Sequence, residues 1–491
     1  MNAQLALQLT LVAPLAGALL IALTGKWPNL RESVTLATSV LLFALVLQVF
    51  AAMGVNHDPR ELHIDLFELL PGITIALHSE PLSILFAMVA SGLWIVTSVY
   101  SIGYMRTNNE KHQTRFYTCF AVAIFGAMGV AFAANLFTLF LFYEVLTLST
   151  YPLVAHKGDD NARRGARIYL GVLLATSIGL FLPAMIWTYA VAGTLDFRPG
   201  GILDGNIAGA AATGLLMLYL FGIGKAAVMP VHKWLPAAMV APTPVSALLH
   251  AVAVVKAGVF TMAKVVIYIF GLDFLADVPN EMWAVYIAGF TIVSASVVAL
   301  RQTNIKRMLA YSTVSQLSYI VMAVVVLTPY SEMGAIIHIV AHAVAKITLF
   351  FAAGAIYVAS KKTEIAQLDG IGYRMPITMA AFTVAALSMI GVPPTGGFVS
   401  KWYMIAGAFQ LDSYFVLAVL ATSTALNAAY FLPIVFRAFF RKEAGDGNLD
   451  HGEAPVPMVA AICVTAVLTL LVFFFNGPLV DFEQTIIGGF Q

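Results

Sequence analysis

Stretches of about twenty consecutive apolar residues recur along the whole chain, and a polypeptide with so many of them has one solvent in which it can fold. A helix needs roughly 20 mostly apolar residues to cross the hydrocarbon core of a bilayer. Within that core, backbone polar groups can be satisfied only in helices or closed barrels. Fourteen such stretches are found, at 5–24, 33–54, 80–103, 116–133, 135–156, 167–192, 207–229, 243–271, 281–300, 305–327, 331–359, 375–410, 412–437 and 457–477. The first is not preceded by a basic residue and reaches spanning length, so it reads as a membrane helix and not a secretory signal. The piece 375–410 is too long for one helix, and Pro393-Pro394 followed by Gly396-Gly397 marks it as one broken span.

Only 10% of the 491 residues are charged, against roughly 25% in soluble domains. That excludes a soluble enzyme, a nucleic-acid binder and a disordered hub. Cys119 and Cys463 both lie in apolar runs, which leaves no disulfide framework, iron–sulfur cluster or cysteine zinc site.

Basic residues favour the cytoplasmic side. If the N-terminus is outside, 19 Lys and Arg fall in inner loops and only Arg60 and Arg198 in outer ones. A wrong span count would scramble this alternation. An even number of spans is therefore expected, in a cell inner (plasma) membrane with both termini on the outer side. Alternating residues in 62–66 and 73–78 flank Pro71-Gly72. This segment reads as an outer β-hairpin or as an irregular loop. The polar, glycine-bearing stretch 443–453 is expected to be an inner loop.

Five lysines have no place in a loop: Lys225, Lys256, Lys264, Lys346 and Lys401. Glu144 also falls mid-span. A charge at the centre of a membrane helix costs roughly 2.5–3.5 kcal/mol on insertion scales, and such residues usually mark an ion or proton path. Lys264 lies towards the end of its helix, where snorkelling to the interface is expected. Lys225 precedes Pro230 and Lys401 follows the double proline, so both sit beside a helix break of the kind that lines wet cavities in transporters. His338, His342 and Lys346 recur at i, i+4 and i+8 on one helix face. His250 precedes Lys256 by six residues. Histidines that titrate near neutral pH can relay protons. The HxxxH spacing also admits a metal site or satisfied buried histidines, but no acidic or cysteine ligand is near in sequence. Neither a metal nor a cofactor is expected, and no redox or hydrolytic site is apparent.

Three segments carry a family resemblance. Residues 224–258 read GKAAVMPVHKWLPAAMVAPTPVSALLHAVAVVKAG, residues 301–320 read RQTNIKRMLAYSTVSQLSYI, and residues 391–402 read GVPPTGGFVSKW. Together with the Leu141–Glu144 helix, they resemble the antiporter-like subunits of respiratory complex I, Mrp-type multisubunit cation/proton antiporters and membrane-bound hydrogenases. The resemblance implies an all-α polytopic fold of about fourteen helices with two inverted five-helix repeats. The implied units are 1–115 with the outer hairpin, repeats 116–271 and 272–440, and 441–491 with the last helix. The broken helices would be those carrying Lys225 and Lys401.

By the same resemblance, Glu144 partners a switchable Lys225. Lys256, His250, His338 and His342 form the central polar chain, Lys401 is the terminal lysine near one exit, and Lys346 fills a further basic position. The implied ligands are H+ and, in an antiporter, Na+, with lipid and other membrane subunits as partners. Length and Lys401 resemble the Mrp D-type subunit, while the APTPVSALLHA stretch resembles larger members. The alternative is a proton-pumping subunit of a redox-driven complex or of a carbon-uptake assembly. A self-contained transporter of an organic substrate would need a roomy midplane site in place of this extended line of charges.

Overall fold

The computed structural model describes residues 2–53, 62–70, 72–248, 253–278, 282–442 and 452–487. Among these, eleven helices are long and apolar enough to cross a membrane. They match eleven of the expected stretches, with ends shifted by a few residues; the largest shift is at 167–192, which begins earlier, at Asp160, where Asp159 caps the first turn. The remaining three stretches, 207–229, 243–271 and 375–410, are resolved into shorter helical pieces. The helix Asn476–Ile487 was not expected; its polar and acidic residues hid it from a hydropathy criterion.

Interruptions have local causes. Gly209–Gly222 stops before a single 3-10 turn, Gly224–Ala226, and Ala227 then takes a left-handed φ of 55°. Pro376–Ile390 stops at Gly391, whose φ of +91° suits glycine, and Gly396–Gln410 begins after the double proline. Two further irregularities went unforeseen. A π-helical turn, Ser177–Phe181, divides 160–192, and Val254–Lys264 runs on into π-helical Val265–Phe270.

The segment 62–79 is a β-hairpin, so the loop alternative is excluded. Strand β1, Leu62–Leu70, pairs antiparallel with β2, Ile73–Ser79, placing His63 opposite His78. The hairpin does not stand alone. The His78 N–H donates to Phe132 O (2.7 Å), and the Ala134 N–H donates to Ala76 O (3.0 Å). Asn135 caps the Leu136–Val154 helix by accepting from the Thr138 N–H (2.8 Å), while its amide nitrogen donates to Thr74 O (2.8 Å). One side chain thus starts a helix and fastens the hairpin to it. The expected inner loop at 443–453 falls mostly outside the described residues.

The centre of the molecule is formed by the helices that carry most of the titratable residues. Ile305–Val325 and Pro329–Ser360 are each 94% buried over their most apolar windows, and every residue of Val254–Lys264 is buried. Helices that face protein on all sides bear no polar stripe towards solvent. Their lysines and histidines are therefore enclosed by the fold itself.

Candidate functional site

Lys225 lies in the turn that ends the first broken helix and is fully buried. Three contacts hold that turn. Its backbone N–H donates to the Tyr143 hydroxyl (3.1 Å), and Trp234 Nε1 donates to Gly224 O (2.9 Å). Gly258 of the Val254–Lys264 helix backs directly onto the turn, where a Cβ would lie 2.3 Å from the Lys225 carbonyl carbon. The Lys225 ammonium donates to Tyr143 O and stands 3.1 Å from the centroid of the Tyr143 ring.

Glu144 is the next residue along the helix. It is half-buried, yet both carboxylate oxygens are covered and have no hydrogen-bond partner among the described residues. Lys225 and Glu144 interact through space but do not form a salt bridge. The expected pair is thus adjacent and parted, with Tyr143 holding the ammonium. Tyr143 was missed by sequence reasoning; its only signal was an aromatic ring beside a mid-span acid.

Lys256 is fully buried, and among the described residues its Nζ has no hydrogen-bond partner. His250 lies outside the described residues. His338 occupies the middle of the arrangement. Its Nδ1 meets Ser400 Oγ (2.8 Å), its Nε2 meets Gln316 Oε1 (3.0 Å), and its ring stacks on Tyr319 at 5.7 Å. The ammonium groups of Lys256, Lys401 and Lys346 all act on it electrostatically. The His342 ring is 5.9 Å away, one turn along the same helix. Lys346, a further turn along, donates to Ser312 Oγ (2.7 Å) and Leu309 O (3.3 Å). Ser400, Gln316 and Ser312 escaped sequence reasoning because a single hydroxyl or amide in an apolar run carries no spacing signal.

Lys401 lies within the helix after the second break and bends back to the end of the helix before it. It donates to Ile390 O (2.8 Å), Met389 O (3.1 Å) and Thr424 Oγ1 (3.3 Å). These carbonyls belong to a helix C-terminus, where the backbone dipole favours a cation. Each of the two broken helices therefore presents a lysine beside its break.

Lys264 departs from expectation. It does not snorkel to the interface but is fully buried, pairing with Glu80 at 2.7 Å and donating to Ala133 O at 3.2 Å. A buried carboxylate within reach pairs with the ammonium where it stands. No group of three or more potential metal ligands is found among the described residues.

The protein is thus a polytopic all-α membrane protein with lysines and histidines enclosed at its centre. The family model for the membrane part of NADH:quinone oxidoreductase and Mrp antiporters matches residues 133–427, more than half the chain. NADH-quinone oxidoreductase subunit N of Desulforudis audaxviator is 31% identical over 388 residues, covering 78% of this chain and 76% of that one. F(420)H(2) dehydrogenase subunit N of Methanosarcina mazei is 32% identical over 421 residues, 82% of each chain. The fold is that of a chain in the Mrp complex from Dietzia sp. DQ12-45-1b, with a TM-score of 0.88 at 21% identity over 100% of this chain and 98% of that one. The chain belongs to this NADH:quinone oxidoreductase/Mrp antiporter family and is an antiporter-like membrane subunit of a multisubunit complex.

Proposed function

We propose that this subunit moves protons across the membrane as part of an Mrp-type multisubunit cation/proton antiporter, with Na+ as the exchanged cation. The observation that carries this reading is the chain Lys225, Lys256, His338, Lys346 and Lys401. These five titratable side chains are enclosed together, and none of them forms a salt bridge with a carboxylate among the described residues. Evolution towards stability alone would replace such groups, because an enclosed charge without a counter-ion is expensive.

The switch is local. With Lys225 held by the Tyr143 carbonyl and ring, the Glu144 carboxylate accepts no hydrogen bond from any described residue. Because Tyr143 and Glu144 are consecutive, a swing of the Lys225 side chain exchanges one partner for the other. Pairing with Glu144 favours the ammonium, and parting favours loss of its proton. The proton then passes through Lys256, His250, His338 and His342 to Lys401. At each step a charge changes in a poorly screened medium, which biases the next group. The inner side is the one bearing most basic loop residues, which leaves both termini and the hairpin outside.

The names of the two relatives favour a second reading, in which electron transfer in a partner subunit drives the same proton path. Vesicles holding the assembled complex separate the two. A cation gradient that shifts internal pH supports the antiporter, whereas pH change only on addition of an electron donor and acceptor supports the redox complex. Wild-type proton flux with Lys225→Ala would overturn both.

A further inference from the structure

The lysine that sequence reasoning assigned to snorkelling opens a route that the central chain does not use. Lys264 stands eight residues beyond Lys256 on one helix, roughly 12 Å along its axis, with the buried Thr261 between them. Its Nζ meets Glu80 Oε1 at 2.7 Å, and Glu80 is almost fully buried. His78 and Glu80 are two apart in extended backbone, so they share a face of the strand. Across the ladder, His78 is in register with His63, with ring centroids 5.9 Å apart. His63 Nε2 lies 3.1 Å from Asp65 Oδ1, and these two side chains are 55% and 69% exposed.

We propose that Lys264, Glu80, His78 and His63 form a second proton port that leads from the buried lysines to the open face of the hairpin. The proposal rests on the reading of the chain as a proton-moving subunit. In each passage the Lys264 ammonium gives a proton to the Glu80 carboxylate, leaving an amine and a carboxylic acid. Glu80 hands it to the His78 imidazole, which passes it to His63 and then to water at Asp65. Lys264 is recharged through water from Lys256. His78 suits this place because burial lowers its pKa to about 4, against the pull of Glu80 and with help from Lys264 and His63. At working pH it is a neutral imidazole, with one nitrogen to accept and one to donate. The hairpin, braced by its hydrogen bonds to the 132–135 junction, is then a conducting element as well.

The test is proton flux in vesicles that hold the assembled complex, for wild type, Lys225→Ala, Glu80→Gln and His78→Ala. Glu80→Gln keeps the shape and the hydrogen bonding but cannot carry a proton, and flux is expected to fall at least tenfold with assembly intact. His78→Ala is expected to fall similarly and to recover when imidazole is added on the hairpin side but not on the other. If Glu80→Gln fails to assemble, His78→Ala and its rescue decide the matter. Wild-type flux in His78→Ala, or a loss that imidazole does not restore, overturns the port. If wild-type vesicles move protons and Lys225→Ala does not, the proposed function stands whatever becomes of the port. If wild-type vesicles move none, the proposed function itself fails.

Discussion

The ammonium of Lys401 caps the C-terminus of a helix it does not belong to, donating to the carbonyl of Ile390, the last residue of Pro376–Ile390, at 2.8 Å. The break in the second interrupted segment therefore gives the lysine its ligands. Freed backbone carbonyls receive it, so no carboxylate is needed to hold the charge.

Lys401→Gln removes the charge and keeps a donor. The helix terminus loses a stabilising cation, an effect of about 0.3–1 kcal/mol, so thermal stability is expected to change little. Proton flux is expected to fall at least tenfold. Parallel measurement of unfolding temperature and flux in the assembled complex checks that the two separate.

Gly258 is the point at which two chains of backbone touch. A methyl group there would lie 2.3 Å from the Lys225 carbonyl carbon and 2.4 Å from the Ala226 nitrogen. Gly258→Ala must push the Val254–Lys264 helix off the Lys225 turn, an overpacking penalty of about 1–3 kcal/mol. A lower unfolding temperature and a loss of proton flux are expected together. An unchanged flux would show that the turn tolerates displacement.

Gln316 accepts from His338 Nε2 inside a fully buried site. Gln316→Leu leaves that donor unmet, at a cost of about 1–3 kcal/mol. A lower unfolding temperature is expected, with slower flux because the ring is no longer oriented. Gln316→Glu keeps an acceptor in place and is expected to retain more stability than Leu.

Stability is expected to decline in mild acid. His156, in the loop after the Leu136–Val154 helix, is held down to about 4 by burial, with Arg115 and His112 adding to the effect. The unfolded chain takes up this proton near pH 6.5 and the folded chain only near 4. The contribution is therefore whole above pH 6.5 and is lost as pH falls towards 4. At roughly 1.4 kcal/mol per pH unit the loss reaches about 3 kcal/mol at most. Unfolding temperature measured against pH should show this fall, and His156→Phe should reduce it.

Hydropathy located the long helices well because spanning length is a local property, readable within each run. It failed where apolar residues are diluted by polar and acidic ones, as at Asn476–Ile487. It also failed where helix geometry changed without a change in composition, as at Val265–Phe270. The lysines were conspicuous for the same local reason, being charges in apolar surroundings. Their partners were not. Lys264 lies on a helix and Glu80 is the extended residue between the hairpin and the next helix, and nothing in the sequence around either names the other.

The amino-acid order alone determined that the chain is a helical membrane protein, where its long apolar helices fall, that Lys225, Lys256, Lys346 and Lys401 lie within apolar runs, and the family its motifs resemble. Only the tertiary structure decided that Lys225 rests on Tyr143 and not on Glu144, that Lys401 rests on a helix end, and that Lys264 is paired. Burial depends on how apolar a run is, and the run states that itself. A hydrogen bond depends on which atoms of distant segments are brought within about 3 Å. Lys225 and Tyr143 are 82 residues apart, and their contact exists only once the helices have packed.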